Sequence, residues 1–594
     1  MGVYGGTLLR NAAMTQATDP FILALTGQLP FVLLMAAALA WPISLGLLKL
    51  YRRTVLRSMR TSVNPPASAP VPVKAGTPAT RPVQTALALS ILDYHSSMTA
   101  GSVVEALFSD VLRAPWRAAA IYAVAGFCYA IVMAVCTLAA ANHEFLPLRF
   151  LIVFWNCAWP VVLTVNMVAA STRRAKLATV SIYFLALAVL GATAVGGSVL
   201  MWGKSIGFLW VMNLLVTVLL LAFLNRRVRA VGPLVLTFMV VAITGAIVIP
   251  SLAGSDERLL RSIVAFGHVF RMNAVGLFIG LHVLGFAMFG LAGWAAVRWI
   301  RDRYERKRIS DQSIILDAIW LLFGVVHSMT LVFEGAAWML SGLGAFAVYK
   351  GVAWAGFSLL DNKAGAARNG SKLLLLRVFS LGRRSEQLFS VLGMHWRHVG
   401  SIQLIAGPDL ATTTIEPHEF LDFLRRKLAR RFIDGPETLE LRLSEMDVVP
   451  DHDGRFRVND FFCYEDTWKM VLSRLVSESD AVLMDLRGFS PQNAGCRFEI
   501  NELINTVPLG RVVFIIDDTT DEPFLRQTVQ QPWSRLRRTS PNRLLASAQL
   551  RLFRFTGARS GELRQLLRAV CVAAKTAPLS QRPDRYRVQT AGEV

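Results

Sequence analysis

The chain has 594 residues, 54% of them hydrophobic, and a formal net charge of +22. Its mean hydropathy of +0.45 exceeds what a water-soluble chain needs for its core, which excludes an ordinary soluble protein and implies a second solvent. The basic residues gather at the ends of apolar runs, as cytoplasmic membrane loops require, so the expected partners are the lipid bilayer and its anionic headgroups rather than nucleic acid.

In chain order, Met1 to Pro20 has no basic region directly before a short apolar core, so a retained first helix is expected rather than a cleaved signal peptide. The first span is expected at Gln28 to Leu50, with Arg52, Arg53, Arg57 and Arg60 holding its end on the cytoplasmic side. Residues 1–60 thus form one segment. The stretch from Asn64 through Pro82 is rich in Pro and Ala and reads as a linker, and Val83 to Arg113 reads as short helices lying on the membrane face, so 61–115 is set apart.

Residues 116–360 then carry eight further spans. They are expected near Arg117 to Ala141, Phe150 to Ala170, Leu177 to Met201, Ile206 to Leu224, Val231 to Ala253, Ala274 to Val297, Ile314 to Phe333 and Ala336 to Leu359. Each is long enough for ~30 Å of hydrocarbon, giving an all-α bundle of about nine spans, the last two joined as a tight hairpin at Glu334-Gly335. The basic groups Arg173-Arg174-Lys176, Arg226-Arg227-Arg229 and Arg301 through Arg308 all fall on one side. That bias predicts a multi-pass inner (plasma) membrane protein with its N-terminus outside and its C-terminal domain in the cytoplasm. Asp317, His327 and His282, with Asn156, Asn166 and Trp159-Pro160, are the polar features that stand out within the apolar runs.

From residue 361 to 574 the pattern becomes short β-prone runs alternating with amphipathic helices, the mark of an α/β domain with a mainly parallel sheet. Strands are expected at Leu373 to Phe379, Ile402 to Ala406, Ala481 to Leu486, Val512 to Ile516 and Leu550 to Phe555. Helices are expected at Ser385 to His398, Pro417 to Phe432, Asp466 to Ser477, Arg497 to Asn505, Pro523 to Leu536 and Gly561 to Ala573. Asp453-Gly454 reads as a hairpin turn, and 575–594 as a disordered tail. The six cysteines show no CxxC pair, so neither a disulfide framework nor a metal site is expected. Cys496 reads as an unreactive thiol, His418-Glu419 and Asp451-x-Asp453 as surface or turn residues, and the basic run Arg425-Arg426-Lys427 as a solvated face.

The chemistry-bearing stretch is the strand ending at Asp485, the loop Leu486-Arg487-Gly488-Phe489, and the segment Asn493-Ala-Gly495-Cys496-Arg497-Phe498-Glu499-Ile500. A buried strand leading through a polar loop into a helix is where ligands bind in open parallel sheets, and Glu499 is expected in the first turn of that helix beside Asp485. This segment resembles the Ser-x-Trp-Cys-x-x-Glu-Leu stretch of TIR domains, with Gly495 standing where the tryptophan would be. It is also similar to the nucleoside deoxyribosyltransferase pattern of a strand-terminal Asp, a loop, Gly-x-x-x-Glu and a further strand, met by Asp485, Gly495, Glu499 and Val512 to Ile516.

The resemblance implies a TIR-like, flavodoxin-like layering. It further implies that Glu499, with Asp485, acts on the N-glycosidic bond of a riboside, NAD being a substrate rather than a resident cofactor. Arg383, Arg384 and Arg487, with Gly495, would hold the phosphates of such a nucleotide. The expected class is a membrane-anchored signalling or defence protein. Two alternatives stay open: a non-catalytic interaction scaffold that forms homo-oligomers, and a transporter or channel regulated by the cytosolic domain.

Overall fold

The computed structural model describes residues 20–60, 88–92, 101–140, 145–170, 172–194, 231–255, 257–329, 340–364, 370–377, 383–406, 431–464, 466–543, 549–557 and 561–575, with scattered positions around 210–228, 331–338 and 423. The linker over 64–82, the helix expected at 417–432 and the tail after 575 fall almost wholly outside these residues. The chain divides into two compact units. One comprises Met1–Arg53, Trp116–Ala364 and Ile415–Arg425; the other comprises Thr54–Pro115, Gly365–Thr414 and Arg426–Val594.

The first unit holds the part of α1 (Pro20–Arg60) up to Arg53, the part of α2 (Ser102–Ala140) from Trp116 onward, and α3 (Pro147–Cys157), α4 (Trp159–Val168), α5 (Arg173–Ala194), α6 (Gly232–Ser255), α7 (Glu257–Val269), α8 (Ala274–Glu305), α9 (Asp311–Met329) and α10 (Ser341–Ala364). Among the described residues, six stretches are long and apolar enough to cross a membrane: Leu34–Arg57, Ser102–Ala140, Pro147–Val168, Arg173–Thr193, Ala274–Glu305 and Ser341–Leu360. They are consistent with a membrane protein. The span expected over 206–224 is only partly described.

Packing in this unit relies on small residues, as it does where lipid removes the hydrophobic drive between helices. Gly245 of α6 faces Gly285 of α8, and Gly324 of α9 faces Gly342 of α10, so closely that a Cβ on Gly285 or Gly342 would strike the opposite backbone carbonyl. The α9–α10 connection differs from the expected tight turn at Glu334-Gly335, because α9 stops at Met329 and α10 starts at Ser341. The two helices approach each other at Gly324 and Gly342, and Gly335 of the expected turn lies outside the described residues. Trp159-Pro160 marks a real break: the helix interrupts at Ala158, and Pro160 restarts it near the N-terminus of α4, where a missing N–H costs nothing.

Among the described residues the second unit holds eight strands: β1 (Ala88–Leu92), β2 (Leu373–Arg377), β3 (Ile402–Ala406), β4 (Phe432–Ile433), β5 (Val458–Cys463), β6 (Ala481–Asp485), β7 (Val512–Ile516) and β8 (Gln549–Arg554). Their order is β1-β8-β7-β6-β2-β3-β5-β4, and every pairing is parallel. β2, β6 and β7 are buried at every position, as the central strands of a sheet covered on both faces must be. One face carries α12 (Pro436–Ser444), α13 (Trp468–Glu478), α14 (Ala494–Thr506) and α15 (Glu522–Trp533), whose Leu443, Leu472, Leu503 and Val529 pack with Val482 and Met484. The other face carries α11 (Arg383–Trp396) and α16 (Glu562–Lys575), whose Leu392 and Leu566 pack with Leu375 and Leu483.

Two expectations are corrected here. Residues 88–92 are the parallel edge strand β1, paired with β8 from Ala88↔Gln549 to Leu92↔Phe553, and not an interfacial helix. The following helical turns bury Phe108 and Val111 against α11 and α16, so the apolar residues assigned to a membrane surface are spent on the sheet's core. Arg568 seals the contact with an ion pair to Glu105 at 2.9 Å. The turn at Asp453-Gly454 exists, with Gly454 at φ 76° in the left-handed region, but it leads into β5, which pairs parallel with β3 and closes no hairpin.

Candidate functional site

From β2 the chain steps outward to β3, then returns after β5 to lay β6 on the opposite side of β2 and continues through β7 to β8. The order therefore reverses between β2 and β6. At such a switch point the loops leaving the carboxyl ends of the strands diverge and open a crevice for ligands. Arg377 and Asp485, the last residues of β2 and β6, are register partners at this point.

Strand alternation assigns the polar residues here to different faces. Ala481 and Leu483 belong to the α11/α16 core and Val482 and Met484 to the α12–α15 core, so Asp485 falls on the α11/α16 face. Arg487 follows it there: its guanidinium donates to Asp485 through Nε at 2.8 Å and Nη2 at 2.7 Å and lies 5.6 Å over the Phe555 ring. Asp485 is completely buried. The two residues expected as catalytic acid and phosphate ligand are thus each other's partner. Arg377 occupies the same face, with its guanidinium 5.9 Å over Phe389.

Glu499 lies with α14 and the opposite core. The helix begins at Ala494, three residues before its expected start, which moves Glu499 from the first turn to the second and makes Gly495 the second helical residue. The loop before it is pinned: Gly488 turns at φ 69°, Phe489 is fully buried and stacks with Phe524 at 5.4 Å, and Asn493 Oδ1 accepts from Ser490 N at 2.9 Å. Beneath it, the Cys496 thiol sits 3.8 Å from the Arg377 carbonyl and beside the Glu499 carboxyl, to which it also offers its proton.

Glu499 is only 3% exposed, and its Oε2 has no hydrogen-bond partner among the described residues. Burial pushes its pKa up to about 8, against a smaller opposing effect of the Cys496 donor. Burial, reinforced by the neighbouring carboxyl, also raises the Cys496 thiol, which fits the reading of an unreactive cysteine. A neutral carboxyl held without a cation at a switch point is an unusual expense for a merely structural residue.

Comparison with protein-family models, curated proteins and solved structures finds no match.

Arg383 and Arg384 open α11, the helix that follows β2, and so stand at the same carboxyl edge as Asp485. Asp451 accepts from Arg457 at 2.8 Å and Asp453 from the Arg455 amide at 3.2 Å, so both carboxylates serve the turn. No group of three or more metal-ligating side chains occurs among the described residues. An aromatic pair went unread in the sequence: Trp468, the first residue of α13, meets Phe498 of α14 edge-on at 5.4 Å, with the Lys469 ammonium 5.2 Å over Phe498. Its signal was available, because residues 468 and 498 each follow a β-strand ending at the same edge.

In the first unit the polar residues are engaged with one another. Lys350 donates to both Asp317 oxygens at 3.0 and 2.8 Å. The Asn213 amide nitrogen donates to the Asn156 carbonyl at 3.1 Å, so its oxygen accepts from His327 Nε2 at 3.0 Å, leaving His327 Nδ1 to accept from the Tyr129 hydroxyl at 3.1 Å. Asn166 accepts from Thr179 at 2.6 Å, and His282 contacts the Phe278 carbonyl one turn earlier on its own helix.

Proposed function

We propose that this chain is a multi-pass membrane protein of about nine spans, N-terminus outside, that carries a TIR-like signalling or defence domain on the cytoplasmic side and cleaves the N-glycosidic bond of NAD or a related nucleotide. The observation that carries the activity is the buried Glu499 carboxyl with an unpartnered oxygen beside the β2/β6 switch point. Numbered among themselves, the five strands β3-β2-β6-β7-β8 run 2-1-3-4-5, the flavodoxin-like order expected of a TIR-like layering, with β1 added beyond β8 and β5 and β4 added beyond β3. The loop charges support the orientation.

In this reading Glu499 resides in the protein as the neutral acid. Binding of a nicotinamide nucleotide brings a pyridinium cation to the crevice, which favours loss of the Glu499 proton to solvent. As the C1′–N bond breaks, its electron pair leaves with nicotinamide as a neutral molecule, so no general acid is required. The Glu499 carboxylate stabilises the oxocarbenium-like carbon or bonds to it, and water completes the hydrolysis. Arg383 and Arg384, at the start of α11, would meet the phosphates; Arg487, committed to Asp485, would shape the crevice floor.

The test uses the full chain in lipid nanodiscs, because β1 and the Phe108 turns belong to the same unit as residues 365–594. Nicotinamide release from NAD should be measured for wild type, Glu499→Gln and Glu499→Ala. Loss of release by about 100-fold or more in both variants is expected for a residue in direct contact with the reacting carbon. Equal release by wild type and Glu499→Ala would overturn the reading. A second reading, a transporter regulated by this domain, is favoured by the Asp317–Lys350 pair and the His327 relay within the apolar unit. Solute or ion flux into vesicles that is lost on Asp317→Asn would support it.

A further inference from the structure

The aromatic pair at the carboxyl edge of the sheet has no role in the chemistry described so far. Trp468 follows β5 as the first residue of α13, and Phe498 immediately precedes Glu499 on α14. Both residues are half-buried and pack against the α12–α15 core. Lys469, exposed, has its ammonium 5.8 Å from the Trp468 ring and 5.2 Å from the Phe498 ring. Among the described residues its ammonium lies against these two rings and is not part of a salt bridge. α13 and α14 pack against each other, and both begin at the edge where β5 and β6 end.

Resting on the glycosidase reading above, we infer that Trp468 and Phe498 are the platform on which the base of the nucleotide substrate stacks, and that Lys469 contacts its phosphate. The chemistry is general. A purine or pyridinium face gains from an aromatic platform whatever its hydrogen-bonding edge, and a lysine freed from those rings supplies a point charge to a phosphate oxygen. The buried, unpartnered Glu499 carboxyl one residue from Phe498 supplies the reactive group that a platform alone would lack. The site would therefore select a phosphorylated nucleotide over a free riboside or a sugar phosphate. Trp468, Phe498 and Lys469 are positioning and specificity residues, not groups that touch the broken bond.

The experiment uses the full chain in nanodiscs. Binding of NAD, nicotinamide riboside and ribose 5-phosphate is measured on Glu499→Gln alone and combined with Trp468→Leu or Phe498→Leu, and steady-state kinetics on wild type, Trp468→Leu, Trp468→Phe, Phe498→Leu and Lys469→Gln. Trp468→Leu and Phe498→Leu should raise KM for NAD about 10-fold or more while kcat stays within about threefold, and Trp468→Phe should restore most of it. Lys469→Gln should weaken NAD about 10-fold and leave nicotinamide riboside unchanged. Glutamate-dependent cleavage with unaltered KM in all four variants would overturn the platform and leave the glycosidase standing. NAD binding that depends on Trp468 and Phe498, with no cleavage, would uphold the platform and remove the enzyme. Neither binding nor cleavage would end both.

Discussion

Asp317 in the helical unit and Glu499 in the sheet unit are both carboxyls set among apolar residues, and the chain treats them differently. Asp317 is met by the Lys350 ammonium at 2.8 Å, so its charge has a counter-charge wherever it is found. Glu499 has a thiol beside it, a bare second oxygen, and no ion pair among the described residues. A carboxyl with a cation is a solved structural problem. A carboxyl kept neutral by burial is poised, because any ligand that brings positive charge releases the proton and creates a strong anion in a dry place. The difference marks the sheet unit as the place to look for chemistry.

The largest expected effect concerns which residues make up that unit. Phe108→Ala should destabilise the sheet unit by about 3 kcal/mol or more, since it removes a buried ring packed among Leu392, Leu566 and Val570 and lying under Arg564 and Arg568. Limited proteolysis of the full chain against temperature would report it. An unchanged cleavage profile would return residues 61–115 to a linker with helices on the membrane face and weaken the comparison at its root.

The counter-charge is tested next. Lys350→Met should cost roughly 2–4 kcal/mol, because it strands Asp317 in apolar surroundings, and Asp317→Asn added to it should recover most of that loss. Thermal unfolding in nanodiscs, completed as a double-mutant cycle, gives the coupling. Additive losses would mean that the pair is solvated and that the contrast with Glu499 is false.

The pH dependence of Glu499 follows from the sign of its shift. Burial raises its pKa in the folded chain to about 8 from an ordinary value of 4.5, so between these limits the folded chain holds a proton that the unfolded chain has lost. Stability contributed by this residue is complete below about pH 4.5 and falls as pH rises through 8. Glu499→Gln is neutral throughout, so it should match wild type near pH 4 and exceed it by roughly 2–4 kcal/mol above pH 8. A difference that does not change with pH would show that the carboxyl is already ionised in the resting protein.

What could be read in advance divides along the same line. The runs Ile402 to Ala406 and Val512 to Ile516 were legible to the residue, because central parallel strands are continuous apolar segments bounded by polar turns. β1 was not, since a five-residue run with four apolar positions after a Pro-rich stretch acquires meaning only from β8, hundreds of positions later. β4 is two residues long and has no pattern to detect. Glu499 stood out through its spacing from Asp485 and Gly495, yet the closure of Asp485 by Arg487 was also within reach. Residues two apart at a strand end share a face, so the carboxylate and guanidinium were neighbours before any tertiary contact was known.

The smallest effect probes the helical unit's own polar line. Because Asn213 donates to a carbonyl that can only accept, its oxygen faces His327 and the Nε2 atom of that ring is the donor. Tyr129→Phe removes the hydroxyl that meets His327 Nδ1 at 3.1 Å without adding charge. Interhelical hydrogen bonds in membranes average about 0.6 kcal/mol, so a loss of about 1 kcal/mol or less is expected, far below that of Lys350→Met. A loss as large as the one at Lys350 would mean that the His327 relay, like Glu499, holds more than structure, and the contrast between the two units would then have to be redrawn around two reactive centres.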